Sequence, residues 1–549
     1  MATGGEGSSL FHSVLHHNSK SVNVFITPKT FYWCSEGSEE HPYGNVPPRH
    51  SIPLTEIFAV SPNKQVTSQN EDGDIEMSML KSTSFIIHAI KRMKHHKWKT
   101  KRLLFDCQLS SECYEWIQRI QELLDGMQRP RRLLIFINPV GGKKLAGKIY
   151  KEKVQPLFDL ANIKTEIIVT ERANHAKDYL ELESLDKLDG IITVGGDGMF
   201  HEILNGLIRR TQTDNNVDTT KPDFEPVQPS LTVGVIPAGS TDAIAYCTNG
   251  INDPVTSALH IIIGDVHPLD VCSVKHKTEV QRYSVSMAAY GFFGDVLQDS
   301  EKLRWMGPKR YDYSGFKKFF INKGYDGSVS FLQDDSLEAH PLDKSRCRTG
   351  CYICNPVNKD PFLQETPDET DKQTESDSSS LQWKTIDGRF ISVIGVNMSC
   401  ACAKSPEGLS PSAHLADGYM DLILVKHTSR LQYLRHMLSL ANRSNHFNFN
   451  FVEVFRVKEF HFKPSQSAEP NDDETDEAAI PARDNDQEIL AGPAKKSRGN
   501  ASKSTWNVDG EPVEEPGVHV RVHCQLIKIF ARGIEECSDT PSCALCYRR

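Results

Sequence analysis

The sequence predicts a multidomain protein. A β-rich unit spans residues 1–127, an α/β unit with a parallel sheet spans 128–280, and a mainly antiparallel β unit spans 281–549. Three observations lead there. Short β-type runs separated by turn residues fill the first stretch and end in an amphipathic helix. In the second, apolar strands run into glycine turns and then into helices, the pattern of an open parallel sheet. After Ile263 strand-rich segments replace the alternation, so a cleft is expected between the second and third units.

With 549 residues the chain can bury ample core. Its net charge of −9, without a domain-wide basic excess, argues against nucleic acid as a partner. No apolar run reaches the ~18 residues of a membrane-spanning helix, and the first stretch lacks a signal-peptide core, so membrane contact is expected to be peripheral. The 14 cysteines are scattered and accompany no export signal. Reduced thiols or a metal site fit that pattern better than a disulfide framework.

In the first unit, β-type runs cover 22–27, 30–34, 57–60 and 85–90. Residues 111–124 then place Trp116, Ile117, Ile120, Leu123 and Leu124 on one helical face, with Ser110 or Ser111 as cap. Lys91, Arg92, Lys94, Lys97, Lys99, Lys101 and Arg102 surround Trp98, with His95 and His96 among them. Such a run suits an anionic membrane surface, and a solvated hairpin is the plain alternative.

The second unit holds the central stretch. Gly190 to Gly195 reads as a buried strand, Gly195, Gly196 and Gly198 as a turn around Asp197, and the residues from Met199 as a helix carrying Glu202. Glycines let backbone approach a ligand, and a helix N-terminus offers N–H groups to an anion. Two stretches repeat the design: Arg131 to Gly142, through Asn138, Pro139 and Val140, and Val233 to Ala245, through Gly239 and Ser240. Gly142 to Lys148 is not a P-loop, because Ile149 replaces the hydroxyl residue that would hold Mg²⁺. A further strand ends at Thr170, a candidate cap for a helix over 176–182, and 210–230 reads as a surface loop. Asp197 is placed to act as base for an acceptor hydroxyl, and a metal-orienting or helix-capping acid is the alternative.

Together these stretches resemble the diacylglycerol-kinase-type lipid kinase superfamily, and the first unit resembles a pleckstrin-homology domain. The resemblance implies a lipid kinase fold that uses ATP and Mg²⁺, with the metal implied by ATP rather than by a protein-side ligand set. It makes Asn138, Pro139, Val140, Thr170, Glu171, Arg172, Ala173, Asn174, Glu202, Gly239 and Ser240 ATP contacts. Arg304 and Arg310 would clamp phosphates, and Asp509, Gly510 and Glu511 would return to the nucleotide late in the chain. Gly195, Gly196, Asp197 and Gly198 would meet the acceptor, with Asp197 as the catalytic base and Asp417 as its rival. The pleckstrin-homology likeness implies binding of phosphoinositide or acidic lipid. Residues 364–380 and 465–504 are low-complexity and read as disordered inserts.

Two features bear on the acceptor. Cys347, Cys351 and Cys354 match the pattern expected of ceramide kinases. They could hold Zn²⁺ with a fourth ligand from Cys400, Cys402, Cys543 or Cys546, or form a redox-sensitive or simply packed loop. Leu297 stands where sphingosine kinases carry an acid for a free amine, and leucine suits a neutral N-acylated lipid. The implied activity is transfer of the ATP γ-phosphate to the primary hydroxyl of ceramide, giving ceramide 1-phosphate. Sphingosine kinase, diacylglycerol kinase and a non-catalytic lipid-binding adaptor are the alternatives. The stretch Leu424 to Met437 is basic and amphipathic, which fits either a calmodulin target or a strand entering a core helix. Family resemblance adds a Ca²⁺ response and a cytoplasmic protein peripherally bound to Golgi and plasma membranes.

Overall fold

The structure is a computed structural model that describes residues 11–38, 49–63, 82–307, 309–334, 337, 340–354, 381–402, 405–442, 445–465 and 503–536. The inserts expected at 364–380 and 465–504 lie outside these residues except for Ser465, Lys503 and Ser504, and Cys543 and Cys546 lie outside them too.

Seven antiparallel strands form the first unit: β1 (Phe11–His17), β2 (Lys20–Ile26), β3 (Thr30–Ser35), β4 (His50–Pro53), β5 (Ile57–Pro62), β6 (Ser84–Arg92) and β7 (Trp98–Asp106). Their order, β4-β3-β2-β1-β7-β6-β5, brings Leu15, Val24, Phe31, Phe85 and Phe105 onto one core. Helix α1 (Ser110–Asp125) covers it with Trp116, Ile117, Ile120 and Leu124, while Leu123 stays at the margin. Trp116 is fully buried among Phe11, Phe31 and Phe85, and its indole N–H donates to Ser13 Oγ at 3.2 Å. The expected serine cap does not form. Leu109 takes the cap position with extended backbone, and Glu112 reaches back to the Gln108 N–H at 3.2 Å.

The second unit is a parallel sheet of β8 (Arg132–Ile137), β9 (Lys164–Val169), β10 (Gly190–Gly195) and β11 (Thr232–Pro237), ordered β9-β8-β10-β11. Alternating side chains feed its two faces. Leu134, Phe136, Ile191 and Val233 pack against α2 (His175–Leu182), α3 (Asp197–Asp214) and α4 (Ala243–Asn249). Ile135, Ile137, Ile192 and Val194 pack against α5 (Pro254–Ile263) and the helical stretch 146–160. Helix α3 runs on through Arg210 to Asp214, into what reads in the sequence as loop.

The third unit contains β12 (Val266–His276), β13 (Glu279–Ser284), β14 (Met287–Gly291), β15 (Tyr325–Asp334), β16 (Leu381–Val396), β17 (Met420–Lys426), β18 (Val452–Pro464), β19 (Trp506–Val508), β20 (Glu511–Val513) and β21 (Val518–Phe530). Helices α6 (Phe292–Glu301), α7 (Lys309–Ile321) and α8 (Arg430–Ala441) flank these strands. The single strand expected over 284–290 is interrupted at Val285–Ser286. β21 pairs antiparallel with β12 and β18, and its end pairs parallel with β11 at Val233–Ile529. The two units therefore share one hydrogen-bonded sheet.

Part of the basic hairpin packs against the second unit. Trp98 is buried against His260 of α5, ring centroids 3.8 Å apart, and its backbone N–H donates to Thr256 Oγ1 at 3.0 Å. Arg92 and Arg532 flank its ring, and Lys97 pairs with Asp253 at 3.2 Å. Lys91, Lys94, Lys99 and Arg102 remain exposed.

Candidate active site

The chain leaves β8 toward β9 and returns on the opposite flank as β10, so the sheet has its topological switch point between β8 and β10. Ligands of open parallel sheets bind outside the strand carboxyl ends at such a point. The loops after all four strands gather there. Asn138 Oδ1 accepts from the N–H groups of Val140 and Gly141 at 3.0 and 2.9 Å, and its own N–H donates to Val194 O at 3.1 Å. Backbone then packs directly on backbone. A Cβ at Gly239 would stand 2.5 Å from Gly196 Cα, and one at Gly142, where φ is +55°, would stand 2.7 Å from Ala238 O. Pro139, Val140, Glu171, Arg172, Ala173, Asn174, Gly198 and Ser240 form exposed rims around this crevice, while Gly195 is buried at its floor.

Asp197 opens α3 and is half-buried. Its Oδ2 accepts from Ala243 N–H at 3.0 Å and its Oδ1 from Ile244 N–H at 3.1 Å, so the first turn of α4 orients the carboxylate. A second acid stands beside it. Asp242, at φ +52°, accepts from Gly239 N–H at 2.8 Å and from Asn252 Nδ2 at 2.8 Å. Burial, then the charge of Asp197, pushes its carboxyl up from 3.8 to about 6.

Asp242 was not among the sequence candidates, although its place after Gly-Ser-Thr was visible. The folded chain holds its proton more tightly than the unfolded chain. Stability therefore falls as pH rises from about 4 to about 6, by an amount on the order of 3 kcal/mol. An Asp242→Asn variant should show a flatter pH dependence of its thermal midpoint across that window. An unchanged slope would remove Asp242 as its source.

Glu202, one turn beyond Asp197 on the same helix, accepts from Ala176 N–H at 2.8 Å and so ties the first turn of α2 to α3. Thr170 does not cap α2. Its hydroxyl donates to Ile137 O at 3.3 Å, and Asn174 at φ +60° precedes the helix. Arg172 pairs with Asp178 at 2.6 Å.

The remaining candidates sit elsewhere. Arg310 pairs with Glu301 at 3.1 Å and lies over Tyr311, at the corner of α6 and α7. Arg304 falls in a 3₁₀ turn, Arg304–Met306, of which its backbone alone is described. Asp509 and Gly510, at φ +52° and +87°, form the tight turn between β19 and β20, and Glu511 lies 3.6 Å from Arg282. The Asp509 carboxylate is buried and fully engaged. It accepts from the N–H groups of Val285, Ser286 and Met287 and from Ser286 Oγ, and stands 3.0 Å from His201 Nδ1 on α3. In this structure the donors of the β13–β14 break hold that carboxylate. His201, one turn beyond Asp197 on the buried face, had no sequence signal beyond that spacing.

Asp417 belongs to another acidic pair. Burial raises its carboxyl, and the neighbouring Asp270 is raised by burial and then by the charge of Asp417. Asp270 accepts from the N–H groups of Gly418 and Gln525, both at 2.6 Å. Leu297 is buried on α6. Leu424 is buried in the central strand β17, whereas Leu431, Leu434 and Leu438 of α8 are exposed, so Leu424 to Met437 is a strand followed by a helix. A cavity of about 270 Å³ flanks α4, lined by His95, His96, Tyr246, Cys247, Arg346 and Cys347 among others, and all three units contribute to it.

Three family models match the chain: a ceramide kinase PH domain over 11–120, a diacylglycerol kinase catalytic domain over 132–274 and a ceramide kinase C-terminal domain over 286–547. The chain is 44% identical to a Homo sapiens ceramide kinase, over 88% of this chain and 89% of that one. It is 42% identical to a Mus musculus ceramide kinase over 96% and 98%, and 32% identical to an Arabidopsis thaliana sphingosine kinase over 68% and 72%. A putative diacylglycerol kinase structure from Bacillus anthracis aligns at a TM-score of 0.45 and 14% identity, over 74% of this chain and 98% of that one.

Proposed function

The chain belongs to the ceramide kinase family, and on that premise we propose how its residues divide the work of the reaction. The protein is an ATP-dependent lipid kinase that transfers the γ-phosphate of ATP to the primary hydroxyl of ceramide. A divalent cation accompanies the nucleotide, and the N-terminal unit is a PH domain of a peripherally membrane-associated enzyme.

The observation that carries the placement is the convergence of four loops on Asp197 at the switch point of the sheet. ATP is assigned to the crevice between the rims at 138–142, 170–174 and 239–240, with Gly195, Gly196 and Gly198 admitting the acceptor beside Asp197. Phosphoryl transfer needs positioning, charge neutralisation and removal of one proton from the acceptor hydroxyl. The Asp197 carboxylate takes that proton, and the first turn of α4 holds its oxygens in place. Asp242 is buried with both oxygens bonded, which leaves Asp197 as the reachable acid of the pair. That sparse donor set fits Mg²⁺, which is held largely by phosphates and water and would neutralise their charge. Glu202 and Asp509 act by position: one joins the first turn of α2, which follows the ATP loop, to α3, the other stands against His201 of α3. Arg310 and Arg304 are assigned to the phosphates. In this structure Arg310 is held by Glu301, so the assignment requires that pair to exchange for phosphate.

Entry of the lipid is assigned to α7 and α8. These helices pack through Phe319 and Tyr433 and expose Phe316, Phe320, Leu431 and Leu438, with Trp305 exposed in the turn before α7, on a protein of net negative charge. An apolar patch of this kind marks a membrane or ligand surface. The exposed Lys91, Lys99 and Arg102 support an acidic or phosphoinositide lipid for the PH unit. For calmodulin and Ca²⁺, α8 alone, with its exposed leucines, supports the reading. Golgi and plasma membrane are assigned on the family likeness.

The experiment offers ceramide, sphingosine and diacylglycerol in mixed micelles with labelled Mg-ATP. Ceramide should be the preferred acceptor, and Phe316→Ser with Phe320→Ser should raise KM for ceramide presented in vesicles. Preferential labelling of sphingosine or diacylglycerol would overturn the acceptor assignment, and an unchanged vesicle KM would overturn the entry surface.

A further inference from the structure

Three cysteine sulfurs and one imidazole nitrogen converge away from the ATP crevice. Cys347 Sγ lies 3.5 Å from Cys354 Sγ, and His414 Nδ1 lies 3.4 Å from Cys351 Sγ and 3.8 Å from Cys354 Sγ. All four ligand atoms fall within 4.8 Å of one another. A tetrahedral zinc with Zn–S near 2.3 Å and Zn–N near 2.0 Å needs edges of about 3.5–3.8 Å. The Cys347–Cys354, His414–Cys351 and His414–Cys354 separations of 3.5, 3.4 and 3.8 Å lie at or near those edges.

We propose that Cys347, Cys351, Cys354 and His414 bind one Zn²⁺ as a closed structural site that pins the 341–354 segment to the turn at Leu415–Gly418. Four protein ligands leave no open position, so the metal supplies rigidity and no chemistry at a substrate. The site is independent of the assignment of Asp197.

The surroundings favour metal over plain packing. His414 Nε2 stands 3.2 Å from Ser345 Oγ, a hydroxyl able to accept the ring proton there when Nδ1 faces the sulfurs with its lone pair. The cysteine loop turns at Gly350, where φ is +71°, and Cys351 N–H donates to Arg348 O at 2.9 Å. A disulfide could join Cys347 to Cys354 but would strand Cys351 and the buried His414. Neither Cys400 nor Cys402, two of the fourth ligands expected, joins the group: Cys400 Sγ is directed at Ser286 O, and Cys402 forms an isolated bridge with Ser405. The missing ligand was a histidine distant in sequence, which cysteine spacing cannot reveal.

The site has a mechanical role. Thr349 donates to Arg532 O and Ile534 O, and Gln525 Nε2 donates to Ala416 O at 3.1 Å, so the segments that carry the ligands hold both β21 and the residues after it. Cys347 also lines the cavity beside α4, as does Cys247. Zinc takes the three cysteines as thiolates and His414 as the neutral imidazole, so its binding weakens as pH falls.

The test is the metal content of the full chain, expressed with zinc and purified under reducing conditions, measured by plasma mass spectrometry. About one zinc per chain is expected, falling at least about tenfold in Cys354→Ser and His414→Ala and restored in His414→Cys, which keeps four ligands. Cobalt-loaded protein should show sulfur-to-cobalt charge-transfer bands that Cys354→Ser lacks. Folded wild-type protein without zinc, zinc retained in both single variants, or a Cys347–Cys354 disulfide in protein kept under reductant would each overturn the site. Kinase activity is not read, so this result and the acceptor assay fail separately.

Discussion

Replacing Asp197 by Asn should lower kcat for ceramide phosphorylation by about 10²–10⁴-fold, the range for loss of a positioned general base, with KM for ATP changed only a few-fold. The carboxamide keeps the size of the side chain but presents an NH₂ group to one of two N–H donors, Ala243 or Ile244. That mismatch costs about 1–3 kcal/mol and should appear as a lower thermal midpoint. The two effects separate in the pH–rate profile. The wild type should show an acidic limb in log kcat that the residual activity of Asp197→Asn lacks, whereas a merely destabilised enzyme would keep the limb. A variant with more than about a tenth of wild-type kcat would remove Asp197 as the base.

Asp509→Ala is expected to have the largest effect on stability, about 3–5 kcal/mol. It removes the acceptor for the N–H groups of Val285, Ser286 and Met287 and for the Ser286 hydroxyl, and the partner of His201. Such a loss could leave the chain unfolded, so Asp509→Asn is the informative companion. A brace predicts a lower thermal midpoint and lower kcat, because α3 carries both His201 and Asp197, with ATP affinity preserved. A direct nucleotide contact predicts the reverse: weakened ATP binding at nearly unchanged stability. Isothermal ATP titration beside a thermal melt of the same variant decides between them.

Local chemistry made much of this protein readable. The apolar runs that become β8, β10 and β11, the glycine turns after them, and the face of α1 carrying Trp116 all follow from periods and turn preferences spanning a few residues. The same range limited the details. Ser110 and Ser111 looked like caps because their side chains suit the role, yet Leu109 precedes the helix and Glu112 supplies the bond. Thr170 looked like a cap for the same reason, and the loop turned its hydroxyl to Ile137 O instead.

By itself the sequence determined the three-unit architecture, the loops that meet at the sheet's switch point, and the family to which the chain belongs. Tertiary structure decided which charged and polar groups meet: Asp197 with the N-terminus of α4, Asp242 beside it, Asp509 with His201, Trp98 with His260, and His414 with three cysteines. A strand or helix is specified by neighbours along the chain. A buried donor finds its acceptor through sheet register and domain docking, which bring together residues that no spacing rule connects.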